Sequence, residues 1–215
     1  MDDHRTPQRD RYGISLILLA FVVLLVPVDN PLLRPLVAGL LGAVLVFAQR
    51  TSGARRSVIA VSAALVVVGV VASAVAQVGE DRHATMAYSV IVVVLCLATI
   101  ATIGAHLVRD PSLDVHIVLG VIVVYLLLGF AFSGAYAFMG AWDGVFFAQT
   151  ADVQNGVDYF YFSFVTITTT GFGDLTPVTD TGKMLAAFEA LIGQVYLVTV
   201  VALAVAGVTN RRRAA

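Results

Sequence analysis

The chain has 215 residues, of which 59% are hydrophobic and 13% charged, with a formal net charge of −1. Soluble domains carry about 25% charged residues, so this chain is short of polar side chains to meet water, and its charges cluster between long apolar runs. That excludes an ordinary soluble domain, gives no basis for a nucleic-acid partner, and predicts an all-α integral membrane protein.

Residues 1–12 form a polar tail carrying Arg5, Arg9 and Arg11. The apolar run Ile14–Val26 follows and ends in Pro27-Val28-Asp29-Asn30-Pro31 without a small-x-small cleavage pattern, so it is expected to be a retained helix rather than a signal peptide. Gly13–Val28 and Leu32–Ala48 are short and separated only by Asp29-Asn30-Pro31. They fit two short crossing helices, or a hairpin that dips into the bilayer. Ser57–Val78, Met86–Val108, His116–Met139 and Lys183–Val208 each reach the roughly 20 apolar residues of a spanning helix. Six spans are expected, divided into a four-helix membrane region at 13–110, a second unit at 111–210 and a basic tail at 211–215. Cys96 lies inside an apolar run and, as the one cysteine, forms no intrachain disulfide. It is expected to be a small core residue. The few residues after the last run leave no room in this sequence for a nucleotide- or calcium-sensing domain.

Basic residues set the sidedness of short loops. With the N-terminus inside, Arg5, Arg9, Arg11, Arg50, Arg55, Arg56, Arg109, Arg211, Arg212 and Arg213 fall on the inner side, against Arg34, Arg82 and Lys183 outside. Both termini are therefore expected in the cytoplasm of a multi-pass protein of the cell membrane. Asp29, Glu80, Asp81, Asp143, Asp152, Asp158, Asp174 and Asp180 collect outside, where their summed field would draw cations.

Between the fifth and sixth expected spans lies Val157–Thr168, apolar, aromatic and too short to cross. Asn155 and Gly156 precede it, and Asp158 suits the positive end of a helix dipole. It is expected to be a re-entrant helix. The following Thr169-Thr170-Gly171-Phe172-Gly173-Asp174 has glycine at alternate positions, which lets successive carbonyls turn toward one axis. Irregular backbone at this depth must be buried in protein or line a water path. The segment is expected to be a cation selectivity filter.

The stretch from Tyr161 to Pro177, with Thr168-Thr169-Thr170-Gly171-Phe172-Gly173-Asp174 at its centre, resembles the pore signature of tetrameric potassium channels. The likeness covers about Val115–Gly207. It implies a homotetramer with one loop per subunit, surrounded by membrane lipid and holding dehydrated K⁺ between rings of oxygens. The ion sites carried over are Thr169, Thr170, Gly171 and Phe172, with Gly173 completing the loop. Asp174 is expected behind the outer mouth, bonded to the short helix. Two positions depart from the family. Thr170 stands where an aliphatic residue is usual and Phe172 where tyrosine is usual, which removes one bracing hydroxyl. Phe162, at the position of a frequent bracing partner, has no polar handle either, and the Thr170 hydroxyl is expected to bond behind the filter.

In the last expected span Glu189 is a lone acid, which at this depth faces protein or water. It would either support the filter through the short helix or line the cavity; the first is favoured because four carboxylates around one cavity repel. Gly193 costs about 1 kcal/mol relative to alanine in a helix. Family likeness makes it a gating hinge, and packing makes it a close helix contact. Gly207 lies further along, and Val201, Ala202 and Val205 would form an apolar constriction. Ser57–Val78 and Met86–Val108 contain no Arg or Lys, so no voltage-sensing arginine ladder is expected. Arg82 and Arg109 would be interfacial anchors, and His106 a packed interfacial side chain. No zinc spacing, nucleophile elbow or phosphate loop occurs, so neither an enzyme nor a cofactor beyond the permeant ion is expected. A potassium-selective channel is the leading expectation, with a weakly selective cation channel or a non-conducting regulatory subunit as alternatives.

Overall fold

Runs of Val, Leu, Ala and Ile without interior proline satisfy every backbone group within one helix, the condition for a segment surrounded by lipid. The computed structural model describes residues 12–26, 30, 33–79, 81–109, 115–149 and 155–202. The expected tails at 1–12 and 211–215, Tyr12 apart, lie outside the described residues. Among those described, the chain forms helices α1 (Tyr12–Leu25), α2 (Arg34–Thr51), α3 (Arg56–Gly79), α4 (Arg82–Arg109), α5 (Val115–Asp143), α6 (Gly156–Ile167) and α7 (Asp180–Tyr196). A π-helical turn, Leu197–Val201, continues α7.

Among the described residues, four helices are long and apolar enough to cross a membrane: α3, α4, α5, and α7 with the turn that follows it. The 14 residues of α1 reach only about 21 Å at 1.5 Å per residue, against a hydrocarbon core about 30 Å thick. In α2, Pro35 sits in the first turn, where a missing N–H leaves no helical bond unmade. Helix α4 lies along α5, α1 packs on α5 and α2, and α2 packs on α3 and α4. One apolar core results, with Leu19 of α1, Leu41 and Leu45 of α2, Leu95 and Ile103 of α4, and Leu127 and Phe130 of α5. The expected boundary near 110 lies outside the described residues, and side chains of α4 and α5, on either side of it in sequence, share this core. Cys96 is fully buried there. His106 sets its ring edge to Tyr12, with centroids 6.4 Å apart.

A second cluster, all aromatic, seats α6 against α5. Tyr136 and Phe162 have ring centroids 5.0 Å apart, and Phe146 and Phe147 pack beside them with Tyr159. The loops on either side of α6 are joined by an antiparallel bridge between Phe147 and Pro177. Val178 N donates to Phe146 O at 2.8 Å, and Ala148 N to Thr176 O at 3.0 Å. Gln149 closes the same junction, donating to Thr176 Oγ1 and accepting from Thr176 N. Residues entering and leaving the α6 excursion are thereby held together.

Helix α6 starts at a capping box. Asn155 Oδ1 accepts from Val157 N at 2.8 Å and Asp158 N at 3.2 Å, and Asp158 Oδ2 accepts from Asn155 N. Asn155→Ala is expected to lower stability by about 1 kcal/mol, seen as a reduced melting temperature of the purified protein in detergent.

Candidate functional site

The site begins where α6 runs out of helical partners. Thr169 N donates back to Thr166 O at 2.8 Å, and Thr170 N and Gly171 N both reach Val165 O, at 2.9 and 3.3 Å. The backbone then alternates. Thr169, Gly171 and Gly173 have φ of 56°, 55° and 79°, while Thr170 and Phe172 between them do not take positive φ. Such alternation lays successive peptide planes so that their carbonyls turn to one side. Glycine adopts the left-handed region freely, whereas threonine there is uncommon and strained. Glycine spacing foretold two of the three left-handed residues; nothing in residue type foretold Thr169.

Residues 168–174 are exposed on this single chain. Thr168 Oγ1 donates to Phe164 O at 2.7 Å and lies 2.9 Å from Thr170 Oγ1. The Thr170 hydroxyl thus bonds to the threonine that ends α6. Phe172 stacks on Tyr161, rings nearly parallel at 6.4 Å between centroids. Tyr161 OH donates to Asp174 Oδ2 at 2.8 Å, tying the loop's far end to α6. Phe162, at the expected bracing position, points instead into the aromatic cluster. The ring that faces Phe172 is its neighbour, Tyr161, which sequence reasoning missed.

Glu189 is fully buried. Its Oε2 accepts from Tyr136 OH of α5 at 2.6 Å, and its Oε1 is bonded to Ser163 Oγ of α6. Ser163 Oγ also lies 2.8 Å from the Gly129 carbonyl of α5. The carboxylate therefore sits at the junction of α5, α6 and α7, in contact with the short helix.

Gly193 is where α7 crosses the end of α6. A Cβ built on it would overlap the Ile167 carbonyl oxygen. The helix is regular α at this residue, and its departure from α geometry comes later, at Leu197–Val201. Gly207 and Val205 lie outside the described residues.

A long helix, a short capped helix, a left-handed alternating loop and a second long helix thus follow one another in the chain. Residues 117–210 match the family described as "Ion channel". That segment is similar to the pore-bearing parts of several proteins that carry potassium channel names. It is similar to the hyperpolarization-activated voltage-gated potassium channel of Methanocaldococcus jannaschii, 49% identical over 39 residues, or 18% of this chain and 19% of that protein. Probable potassium channel protein 2 of the same organism is 46% identical over 50 residues, 22% of this chain and 15% of that protein. Human potassium voltage-gated channel subfamily A member 4 is 38% identical over 72 residues, 32% of this chain and 11% of that protein. The chain thus spans less than a fifth of the length of these relatives. No solved structure matches it.

Proposed function

We propose that this chain is a subunit of a potassium-selective channel that conducts K⁺ passively through a fourfold filter. The observation that carries the reading is the left-handed alternation at Thr169, Gly171 and Gly173. Such a backbone presents a row of carbonyls, and rings of carbonyls replace the hydration shell of a permeating K⁺. Thr169, Thr170, Gly171 and Phe172 hold the ions, with the Thr169 hydroxyl at the inner end. Asp174 and Glu189 support the filter from behind through Tyr161 and Ser163. Relatives of the segment bear potassium channel names, which favours K⁺ as the permeant ion over an enzymatic role.

One exposed row of carbonyls cannot enclose an ion, so conduction requires further copies of the chain around an axis. Met184, Phe188, Leu191, Val195 and Val198 form an exposed stripe on α7 and its π turn, at alternating spacings of four and three. That is the spacing of a helix seam, and it suits a homotetramer in lipid. Both termini are cytoplasmic in the cell membrane and α6 enters from the outside. That orientation is the same for a six-span subunit and for one whose short α1 and α2 dip in as a hairpin, because a pair of spans leaves the parity unchanged. Gating by an arginine ladder does not fit. The named relatives are matched over short stretches, and α4 carries arginine only at its ends, Arg82 and Arg109.

A weakly selective cation channel is the second reading, favoured by Phe172, whose ring has no hydroxyl with which to brace the loop. Bi-ionic recordings from purified protein in lipid separate the two. With K⁺ on the cytoplasmic side and Na⁺ outside, the expected reversal potential is strongly negative. A reversal near zero would discard potassium selectivity, and protein that passes no ion would leave the regulatory-subunit alternative.

A further inference from the structure

The last carbonyl of α6, that of Ile167, stands two residues before Thr169. In a continuing helix its donor would be the N–H of Gly171, four residues on, but that N–H is bonded to Val165 O. The neighbouring carbonyls of Phe164, Val165 and Thr166 all have donors from 168–171. Ile167 O takes its hydrogen bond from another helix: Tyr125 OH of α5 donates to it at 3.0 Å. One phenol thus sets the tilt of the peptide plane that leads into the loop.

The Tyr125 ring is itself held. It stacks on Tyr196 of α7, with centroids 5.9 Å apart and planes 26° from parallel. Tyr196 OH donates to the Val121 carbonyl of α5 at 2.8 Å, one helical turn before Tyr125. Tyr196 is also the last residue of α7 before the π turn Leu197–Val201. A π turn carries a widened hydrogen-bond ladder and is a common site of functional distortion in helices. Two aromatic rings therefore connect the π turn that follows α7 to the peptide that feeds the alternating loop.

We infer that Tyr125 and Tyr196 form a positioning clasp that transmits displacement of α7 at its π turn to the Ile167 peptide, and so to ion occupancy in the loop. The inference rests on the proposed filter. Neither tyrosine touches an ion; both act through the Ile167 carbonyl. Tyr125→Phe removes the bond to Ile167 and keeps the stack, and Tyr196→Phe removes the bond to Val121 and keeps the stack.

Single-channel recording in planar bilayers tests the clasp, with two readouts: mean open time and the K⁺ concentration giving half-maximal conductance. Tyr125→Phe is expected to shift both by roughly two- to tenfold, the ratio that follows from losing one ordinary hydrogen bond. Tyr196→Phe is expected to move them in the same direction, and the double variant to fall short of the product of the two single effects, as coupled residues do. A merely structural pair would lower the melting temperature and leave both readouts at wild-type values, and that result overturns the clasp. So does a double variant whose effects multiply. Should Tyr125→Phe fail to assemble, Tyr196→Phe carries the test, and unchanged open time and half-saturation there overturn it equally. Wild-type protein that passes no K⁺ defeats the channel reading, and the clasp with it, before any variant is compared.

Discussion

Glu189→Ala is expected to destabilise the lipid-reconstituted protein by about 2–4 kcal/mol, while Glu189→Gln stays within about 1 kcal/mol of wild type. The difference follows from counting partners. Alanine leaves the buried Tyr136 hydroxyl without its acceptor and opens a cavity where α5, α6 and α7 meet. Ser163 is less affected, because the Gly129 carbonyl remains within reach. Glutamine fits the same geometry. Its amide oxygen accepts from Tyr136, its amide nitrogen donates to Ser163 Oγ, and Ser163 donates to Gly129 O. Chemical or thermal denaturation curves in lipid nanodiscs check the order of the two variants. Recordings of Glu189→Gln add the functional side: altered gating at normal unitary conductance is expected for a group that supports the proposed filter through Ser163. A changed conductance with unchanged gating would return the carboxylate to the cavity wall.

Gly193→Ala is expected to be strongly disruptive, against the usual sign for such a change in a helix. Alanine gains about 1 kcal/mol of helix propensity over glycine, so a glycine kept only for bending would be stabilised by the substitution. Here the new methyl overlaps the Ile167 carbonyl oxygen and comes within 2.7 Å of the Ile167 side chain. The first of these is backbone and cannot swing aside, so α7 or the end of α6 must shift. Overpacking of this kind costs about 1–3 kcal/mol, and the displaced peptide is the one held by Tyr125. Loss of K⁺ flux together with a lower melting temperature is the expected pair of results. Unchanged or raised stability with altered gating alone would favour the hinge expected from family likeness.

The long helices α3, α4 and α5 were legible because an apolar run of spanning length has few other solutions. Helix α6 was legible to within one residue at either end, Asn155 and Asp158 marking its start by capping chemistry. Gly171 and Gly173 marked the loop because their spacing relaxes a specific backbone constraint. The partners of Glu189, the Tyr161 stack on Phe172 and the two-tyrosine connection were not legible. Tyr125 and Ile167 are 42 positions apart, Tyr136 and Glu189 53, and Val121 and Tyr196 75. Val121 and Ile167 take part only through main-chain carbonyls, which every residue carries, so their side chains advertise nothing.

Sequence alone was enough for the number of long apolar segments, the capped start of α6 and the glycine-spaced loop, because length, capping and backbone freedom are local properties. Which side chains meet at Glu189, at Gly193 and beneath the loop depended on the tertiary structure. Those meetings follow from how each helix is rotated about its axis. A helix that is apolar on every side has no polar face to mark that rotation, so it is settled only when its neighbours are packed against it.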